Sequence, residues 1–203
     1  GKVHLTTADA SKVYDGQPLA AGTATAVDDN GNPVKVEYSA NGADWTENAS
    51  DVTATAVADS KTVQVRASVE GTYTGYVSGT QSLAVTARPL DIVGGGWSVE
   101  QPYTGSEYAT DAFEVEQANA ANDSGLVAGQ KVEGLSYSLR GTAVNTYTGE
   151  FSGTPAVMAD GADVAANYNV TTTPGKLTIT ASEIAGKVHL TTADASKVYD
   201  GQP

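Results

Sequence analysis

The chain contains the same 18-residue sequence twice. Residues 1–18 are GKVHLTTADASKVYDGQP, and residues 186–203 repeat them without a substitution. Copies that share only a fold keep a pattern and lose identical residues, so this identity indicates one whole repeat followed by the opening of the next. The offset of 186 − 1 = 185 residues predicts that the chain belongs to a longer array of near-identical units.

The charge balance excludes several classes of partner. Lys and Arg number 11 against 24 Asp and Glu, which gives a formal net charge of −13 in 203 residues. Nucleic-acid binding needs cations that displace counterions from phosphate, so no nucleic-acid partner is expected. Anionic membrane surfaces are disfavoured for the same reason, and no apolar run approaches the length of a membrane span. The absence of cysteine excludes a disulfide, a thiolate nucleophile and a zinc–thiolate site.

Short runs of alternating apolar and polar residues dominate the rest of the chain. A period of two is typical of strands with one buried face, and Gly, Asn, Asp and Pro between the runs are the residues of turns. The runs around Asn30-Gly31 predict a hairpin. The whole pattern predicts an antiparallel, mostly-β fold, with one short helix over residues 109–121 as the alternative. The clearest alternating runs are residues 34–39, 62–67, 82–86, 135–139 and 176–180.

Corresponding segments divide the repeat into two modules. Residues 101–105 stand about where residues 12–16 stand in the first half, and the final run 176–180 matches 82–86. We therefore predict a first module over 1–87, a second over 88–185 and the start of the next repeat over 186–203. The linker, residues 86–89, has no glycine or serine run, so the modules should be held in a restricted orientation. Trp45, Trp97 and the tyrosines are expected to fill the small cores.

The recurring tyrosine motif carries a resemblance to a known family. Tyr14-Asp15-Gly16 near the start of a module, and Asn167-Tyr168-Asn169-Val170 before the strand 176–180, resemble MBG-type ("YDG") repeats. The resemblance is best over residues 88–180, and residues 36–45 of the first module also resemble bacterial Ig-like repeats. In the second module the motif is Tyr103-Thr104-Gly105, so the aspartate is not essential to the fold. We expect Tyr14 and Tyr103 to be equivalent and buried.

This resemblance implies both a fold and a role. The fold would be two tandem small antiparallel-β modules, β-grasp-like or Ig-like sandwiches, in an elongated arrangement. The role would be that of a stalk or spacer in a large, adhesin-like bacterial protein, extracellular and attached to the cell wall through a region outside residues 1–203. The motif residues would be structural: Tyr14, Asp15, Gly16, Tyr103, Gly105 and Tyr168.

Possible catalytic and metal-binding residues have simpler interpretations. His4 and His189 occupy the same position in successive repeats, without the partners of a triad or a metal site. Residues 28–32 have the oxygen density of a calcium loop but not the EF-hand spacing, so an exposed turn is favoured. Asp111, Glu114 and Glu116 are common residues in an acidic chain, and residues 94–96 lack the Lys and Ser/Thr of a phosphate loop. No catalytic residue, metal or cofactor is expected, and the chain is not expected to be an enzyme.

Aromatic residues leave a second function open. Tyr73 and Tyr76 flank Gly75, and Tyr147 and Phe151 flank Gly149. They could stack on sugar rings or dock a host protein, although we favour a place in the cores because large aromatics are mostly buried. In the alternative reading each repeat binds host glycan or protein weakly, and the array gains avidity from copy number. Otherwise the expected partners are the neighbouring repeats.

Overall fold

The alternating runs form β-strands in a computed structural model of the chain, which describes residues 2–69, 74–183, 188–199 and 201. The prediction of a mostly-β chain is confirmed. Within the described ranges the helical residues are three single 3-10 turns: Ala49–Asp51, Val57–Asp59 and Ala165–Asn167. The alternative helix over 109–121 is wrong, because this stretch contains strand residues and turns.

The first eight strands build three sheets, which we call the N-terminal sheet group. Their orders are β1-β4, β3-β6 and β2-β8-β7-β5. In β7 the side chains of Val63, Val65 and Ala67 point into the core and Gln64 points out, as a period of two requires. The strands are β1 Val3–Thr6, β2 Ala10–Val13, β3 Leu19–Ala20, β4 Thr25–Asp28, β5 Lys35–Ser39, β6 Thr53–Ala54, β7 Lys61–Ser68 and β8 Val77–Thr86.

The next ten strands build three further sheets, the C-terminal sheet group. Their orders are β12-β9-β17, β11-β13-β15-β16 and β10-β18-β14. The strands are β9 Arg88–Gly94, β10 Gln101–Pro102, β11 Tyr108–Thr110, β12 Phe113–Val115, β13 Lys131–Gly141, β14 Asn145–Thr148, β15 Glu150–Ala159, β16 Ala162–Asp163, β17 Tyr168–Thr173 and β18 Lys176–Thr180. Among the described residues, each ladder joins two strands of the same group.

Three of the six sheets formed by the described residues contain a parallel pair of strands, and the other three are antiparallel. Strand β2 runs parallel to β8, β10 parallel to β18, and β9 parallel to β17. The predicted hairpin around Asn30-Gly31 is also only partly formed. The turn closes through the Val27–Pro33 bridge, but β4 then pairs with β1 and β5 with β7. The expectation of antiparallel sheets was therefore wrong for the three sheets that contain a parallel pair, because residues distant along the chain decide which strands pair.

Two clusters of buried side chains hold the fold together. The larger cluster contains Leu83 and Val85 of the N-terminal group together with Leu90 and Val157 of the C-terminal group, so the two groups share one core. The smaller cluster lies in the C-terminal group around Tyr137, Leu139, Leu177 and Ile179. Apolar area removed from water in a shared core opposes separation of the groups.

Residues 94–96 are glycines because of crowding. They do not belong to the positive-φ residues of the structure. A Cβ on Gly94 would lie 2.3 Å from the Tyr137 ring, and one on Gly96 would lie 2.8 Å from the backbone of Lys176. Tyr137 donates a 2.6 Å hydrogen bond to the Gly95 carbonyl. The glycines therefore let the chain approach a buried tyrosine and a neighbouring strand.

The second copy of the 18-residue sequence lies outside the sheets. Its described residues, 188–199 and 201, form no strand, and all of them are exposed. Tyr73 and residues 184–185 at the end of the predicted second module lie outside the described residues.

Candidate functional site

The two sheet groups meet at a buried arginine. Arg88, the first residue of β9, is only 5% exposed. Its Nε donates to the Gly125 carbonyl at 2.7 Å, one terminal nitrogen donates to the Ser124 carbonyl at 2.5 Å, and the other donates to the Tyr14 carbonyl at 3.3 Å. A guanidinium presents five donors in a rigid, planar arrangement. Arg88 therefore joins a loop of the C-terminal group to the Tyr14 corner of the N-terminal group.

Two tyrosines pack across the same junction. The rings of Tyr14 and Tyr168 meet edge to face with centroids 5.5 Å apart. Gln130 links their hydroxyls, because its Nε2 donates to Tyr14 Oη at 3.2 Å and its Oε1 accepts from Tyr168 Oη at 2.7 Å. Burial raises the pKa of Tyr168 above its ordinary value. The tyrosine of the YDG motif is therefore part of the contact between the groups.

A third contact lies beside the first two. Asn167 is buried, and its Oδ1 accepts a 2.8 Å hydrogen bond from the backbone N–H of Val57. We call the contacts made by Arg88, the Tyr14–Gln130–Tyr168 cluster and Asn167 the joint. Three hydrogen-bonded points and a shared core restrict rotation of one group against the other, since each bond would have to break during such a rotation.

The turn after Tyr14 is held by its own residues. Gly16 has a φ of 78°, a conformation that glycine adopts without strain. Asp15 accepts hydrogen bonds from Lys12 Nζ at 2.6 Å and from the Gln17 N–H at 2.8 Å. Burial alone would raise the pKa of Asp15, but Lys12 and the Gln17 N–H outweigh burial and lower it.

The corresponding motif of the second module, Tyr103-Thr104-Gly105, has the same backbone position as Tyr14-Asp15-Gly16 and a different environment. The N–H of Tyr14 donates to the Thr86 carbonyl at 2.9 Å, and that of Tyr103 donates to the Thr180 carbonyl at 2.8 Å. Gly105 has a φ of 80°, close to that of Gly16. Tyr103 is nevertheless 43% exposed, whereas Tyr14 is 4% exposed. The expectation that Tyr103 is buried is wrong, because what covers Tyr14 is the other sheet group.

An aromatic groove lies on the outer face of β7 and β8. The guanidinium carbon of Arg66 lies 3.9 Å from the ring centroid of Trp45 and 4.2 Å from that of Tyr76. Arg66 Nε also donates to Glu37 Oε2 at 2.7 Å, and this bond holds the pKa of Glu37 below its ordinary value. The groove measures about 490 Å³, and Gln64 and Thr80 line its floor. Such cation–π contacts hold both rings in place.

These aromatic residues correct part of the expected core. Trp45 was expected to fill the first core, and Tyr76 was favoured for the same place, yet both line the groove and Tyr76 is 56% exposed. Trp97, Tyr147 and Phe151 do pack against the smaller buried cluster. Sequence reasoning missed the roles of Arg66 and Arg88. The available signal was that the chain has only three arginines, Arg66, Arg88 and Arg140.

The residues considered for chemistry are engaged in structural contacts. His4 lies on β1, and its Nε2 is 2.9 Å from Asp29 Oδ1. Asp28 accepts hydrogen bonds from the Asn30 and Asn32 N–H groups at 2.8 and 2.9 Å, so its carboxylate closes the turn. The Asn32 side chain, which also donates to Asp28, and these backbone bonds lower the pKa of Asp28.

Two of the three carboxylates considered for catalysis are hydrogen-bonded to other side chains. Asp111 forms two hydrogen bonds with Arg140, at 2.8 and 2.9 Å, and Glu116 accepts one from Ser124 at 2.6 Å. Glu114 lies on β12, and His189 is an exposed residue of the second copy. Within the part of the chain that the structure describes, no group of three or more His, Cys, Asp or Glu side chains could hold a metal ion.

Comparisons with known proteins identify no family. Neither the models of known protein families nor the curated proteins include a match to this chain. The described residues contain no helix of the length and hydrophobicity needed to span a membrane. The resemblance to MBG-type and Ig-like repeats therefore stays a prediction.

Proposed function

We propose that the chain is a spacer unit of a tandem array in an adhesin-like bacterial cell-surface protein. In this proposal two small β modules of MBG or Ig-like type follow each other in line, and the array projects a distal functional domain away from the cell wall. The unit is extracellular, binds its neighbouring repeats and catalyses no reaction. The observation that carries the proposal is the joint around Arg88, because a spacer must keep its modules at a fixed angle.

The joint supports this role energetically. Separating the groups would expose the apolar surface of Tyr14 and Tyr168, at about 2 kcal/mol for each aromatic side chain. Each hydrogen bond across the joint adds about 1 kcal/mol, and the one that the charged Arg88 donates to the Tyr14 carbonyl adds more. These contributions favour one orientation over an ensemble of bent ones. The reach of the array would then scale with the number of units.

Tyr103 supports the proposal that the next unit packs in the same way. It stands at the backbone position of Tyr14, and its hydroxyl lies above Gly105 as that of Tyr14 lies above Gly16, at 3.8 and 4.0 Å from the corresponding Cβ positions. Its exposed ring is available to a following module, as the ring of Tyr14 is to Tyr168. In the proposed array, Tyr103 would therefore become buried.

Distance measurements between the groups test the proposal. The chain has no cysteine, so Ser78→Cys and Ser152→Cys introduce one spin label on an exposed position of each group. Double electron–electron resonance should give one narrow distance distribution. Arg88→Ala should broaden it, because three carbonyls lose their donor, while Arg140→Ala, which removes an exposed ion pair, should not. A wild-type distribution as broad as that of Arg88→Ala would contradict the spacer proposal.

The aromatic groove favours a second candidate function, weak binding of a host glycan. Its two fixed rings could stack on sugar rings, and Gln64 and Thr80 offer an amide and a hydroxyl for hydrogen bonds. A repeated weak site would gain affinity through copy number. A glycan array followed by NMR titration tests this function: Tyr76→Ala should abolish the shifts and Tyr103→Ala should leave them. If no glycan shifts the spectrum of Tyr103→Ala while leaving that of Tyr76→Ala unchanged, the glycan-binding function is excluded.

A further inference from the structure

Residues 2–18 occupy a well-defined binding slot on the rest of the molecule. Strand β1 pairs with β4 through four residues and β2 pairs with β8 through four more. The N–H of Ser82 donates to Asp9 Oδ1 at 2.6 Å, and Tyr14 packs beneath Tyr168. We call the surface formed by β4, β8 and the Gln130–Tyr168 side of the joint the slot. It recognises both the backbone and specific side chains of the segment.

The sequence of the segment that fills the slot is present a second time in the chain. Residues 186–203 repeat every residue that the slot contacts, with Asp194 in place of Asp9 and Tyr199 in place of Tyr14. Leu190 is 87% exposed, whereas its counterpart Leu5 is partly buried. Tyr199 is 94% exposed, whereas its counterpart Tyr14 is 4% exposed. The described part of the second copy thus has the sequence of a ligand for the slot and is not in a sheet.

We propose that the slot is a binding site for residues 186–203 of a second copy of this chain. In the exchanged form the tail of one molecule forms β1 and β2 of the next, and residues 1–18 of that molecule are displaced. The contact is head to tail, so repetition produces linear chains rather than a closed dimer. This inference does not rest on the spacer function, because it follows from the sequence identity and the contacts of the slot.

Competition decides when exchange occurs. Both segments offer identical contacts, but residues 1–18 belong to the molecule that carries the slot and act at an effective concentration in the millimolar range. A tail from another molecule therefore loses at micromolar protein concentrations, and the wild-type chain stays monomeric there. Weakening residues 1–18 alone should reverse the competition.

Tyr14→Ala weakens the internal segment and leaves the tail intact. Loss of a buried aromatic side chain should weaken the internal segment about a hundredfold, which lowers the concentration for exchange from about 1 mM to about 10 µM. Size-exclusion chromatography with light scattering at about 100 µM should show dimers and longer chains for Tyr14→Ala and monomers for the wild type. The double variant Tyr14→Ala, Tyr199→Ala should return to monomers. A monomeric Tyr14→Ala chain, or a double variant that associates equally, would overturn the proposal.

A cross-link keeps the proposal testable if Tyr14→Ala does not fold. Ser11 faces Ala84 in the β2–β8 ladder, and Ser196 is the counterpart of Ser11 in the tail. A chain with Tyr14 retained and with Ala84→Cys and Ser196→Cys, refolded at about 1 mM and then oxidised, should give a ladder of disulfide-linked chains. Ala84→Cys with Ser11→Cys should give linked monomers under the same conditions. If the first pair gives only monomers while the second forms its disulfide, the slot does not accept the tail of another molecule.

Discussion

Two identical stretches of this chain have different structures. Residues 3–6 and 10–13 are strands β1 and β2, and Tyr14 beside them is 4% exposed. The corresponding residues of the second copy form no strand, and Tyr199 is 94% exposed. Since strand propensity is the same in both copies, propensity does not cause the difference. In the first copy, β1 pairs with β4, β2 pairs with β8, and Tyr14 packs at the joint. The described residues of the second copy pair with no strand, and an unpaired strand is not stable in water.

The glycine of the motif behaves differently from the strands. Gly16 has a φ of 78° and Gly201 a φ of 75°, so the glycine takes the same conformation with or without neighbouring sheets. A conformation available to glycine at no steric cost needs no tertiary partner. The conformation of this glycine is therefore a local property of the sequence, whereas formation of the strands depends on the surrounding sheets.

Replacing the tyrosine of each copy by alanine should show the largest difference in stability between the two copies. Tyr14→Ala should lower the free energy of unfolding by about 3 kcal/mol, because it empties a buried aromatic site. At 2–4 °C per kcal/mol for a chain of this size, the Tm should fall by about 9 °C. Tyr199→Ala should leave the Tm unchanged. Calorimetry at a few micromolar, where the chain is monomeric, measures both.

The tyrosine of the corresponding motif in the second module provides a graded control for that experiment. Tyr103 has the backbone position of Tyr14 and is 43% exposed. Tyr103→Ala should therefore lower the free energy of unfolding by about 1 kcal/mol, which is less than Tyr14→Ala and more than Tyr199→Ala. The reason is that folding buries less apolar area at Tyr103 than at Tyr14. Equal effects of Tyr14→Ala and Tyr199→Ala would show that burial of Tyr14 at the joint does not stabilise the fold.

A smaller effect should follow from the hydroxyl of Tyr168, which covers Tyr14. This hydroxyl donates to Gln130 and accepts a 3.1 Å hydrogen bond from the Val127 N–H. Tyr168→Phe leaves the Gln130 side-chain carbonyl and the Val127 N–H without this partner. The free energy of unfolding, measured by urea denaturation, should therefore fall by about 1 kcal/mol. Tyr147→Phe, which removes bonds to the exposed Ala143 backbone, is the matched control and should cost less. A larger effect of Tyr147→Phe would argue against the joint as a stabilising contact.

Local pattern could be predicted from the sequence, and long-range pairing could not. Alternation in residues 62–67 predicted strand β7, and Asn30-Gly31 predicted a turn that the structure contains. The same pattern could not show that β4 and β5 part after this turn, or that β2 pairs in parallel with β8, because partner choice depends on residues far apart.

The joint was hidden for a related reason. Arg88 was placed in the linker that opens the second module, but its partners are backbone carbonyls of Tyr14, Ser124 and Gly125, and every residue has such a carbonyl. Trp45 was assigned to the core by size alone. Its place outside the core follows from Arg66, whose guanidinium lies against its ring. Contacts of these kinds leave no periodic signal in a sequence.

Acid should weaken the turn that connects β4 and β5. The pKa of Asp28 is lowered by the Asn32 side chain and the nearby backbone N–H groups. Its contribution to stability is therefore complete above the ordinary Asp pKa, roughly 4, and is lost as the pH falls through the lower folded-state value. Asp28→Asn should have a lower Tm than the wild type at pH 7, and the gap should close near pH 2. A difference in Tm that is independent of pH would show that ionisation of Asp28 does not contribute to stability.

Removing the second copy should have the smallest effect of all. Its described residues are exposed and outside the sheets, so deletion of residues 186–203 should leave the Tm of the remaining chain unchanged within error. Deletion of residues 1–18 is the matched control and should destabilise the chain strongly, since β1, β2 and Tyr14 are lost together. A fall of several degrees after the tail deletion, on the order of 1 kcal/mol, would mean that the tail stabilises the C-terminal sheet group. The boundary predicted at residue 185 would then be misplaced. The two copies would then differ because each contacts a different surface of the molecule, and not because only the first copy has a surface to contact.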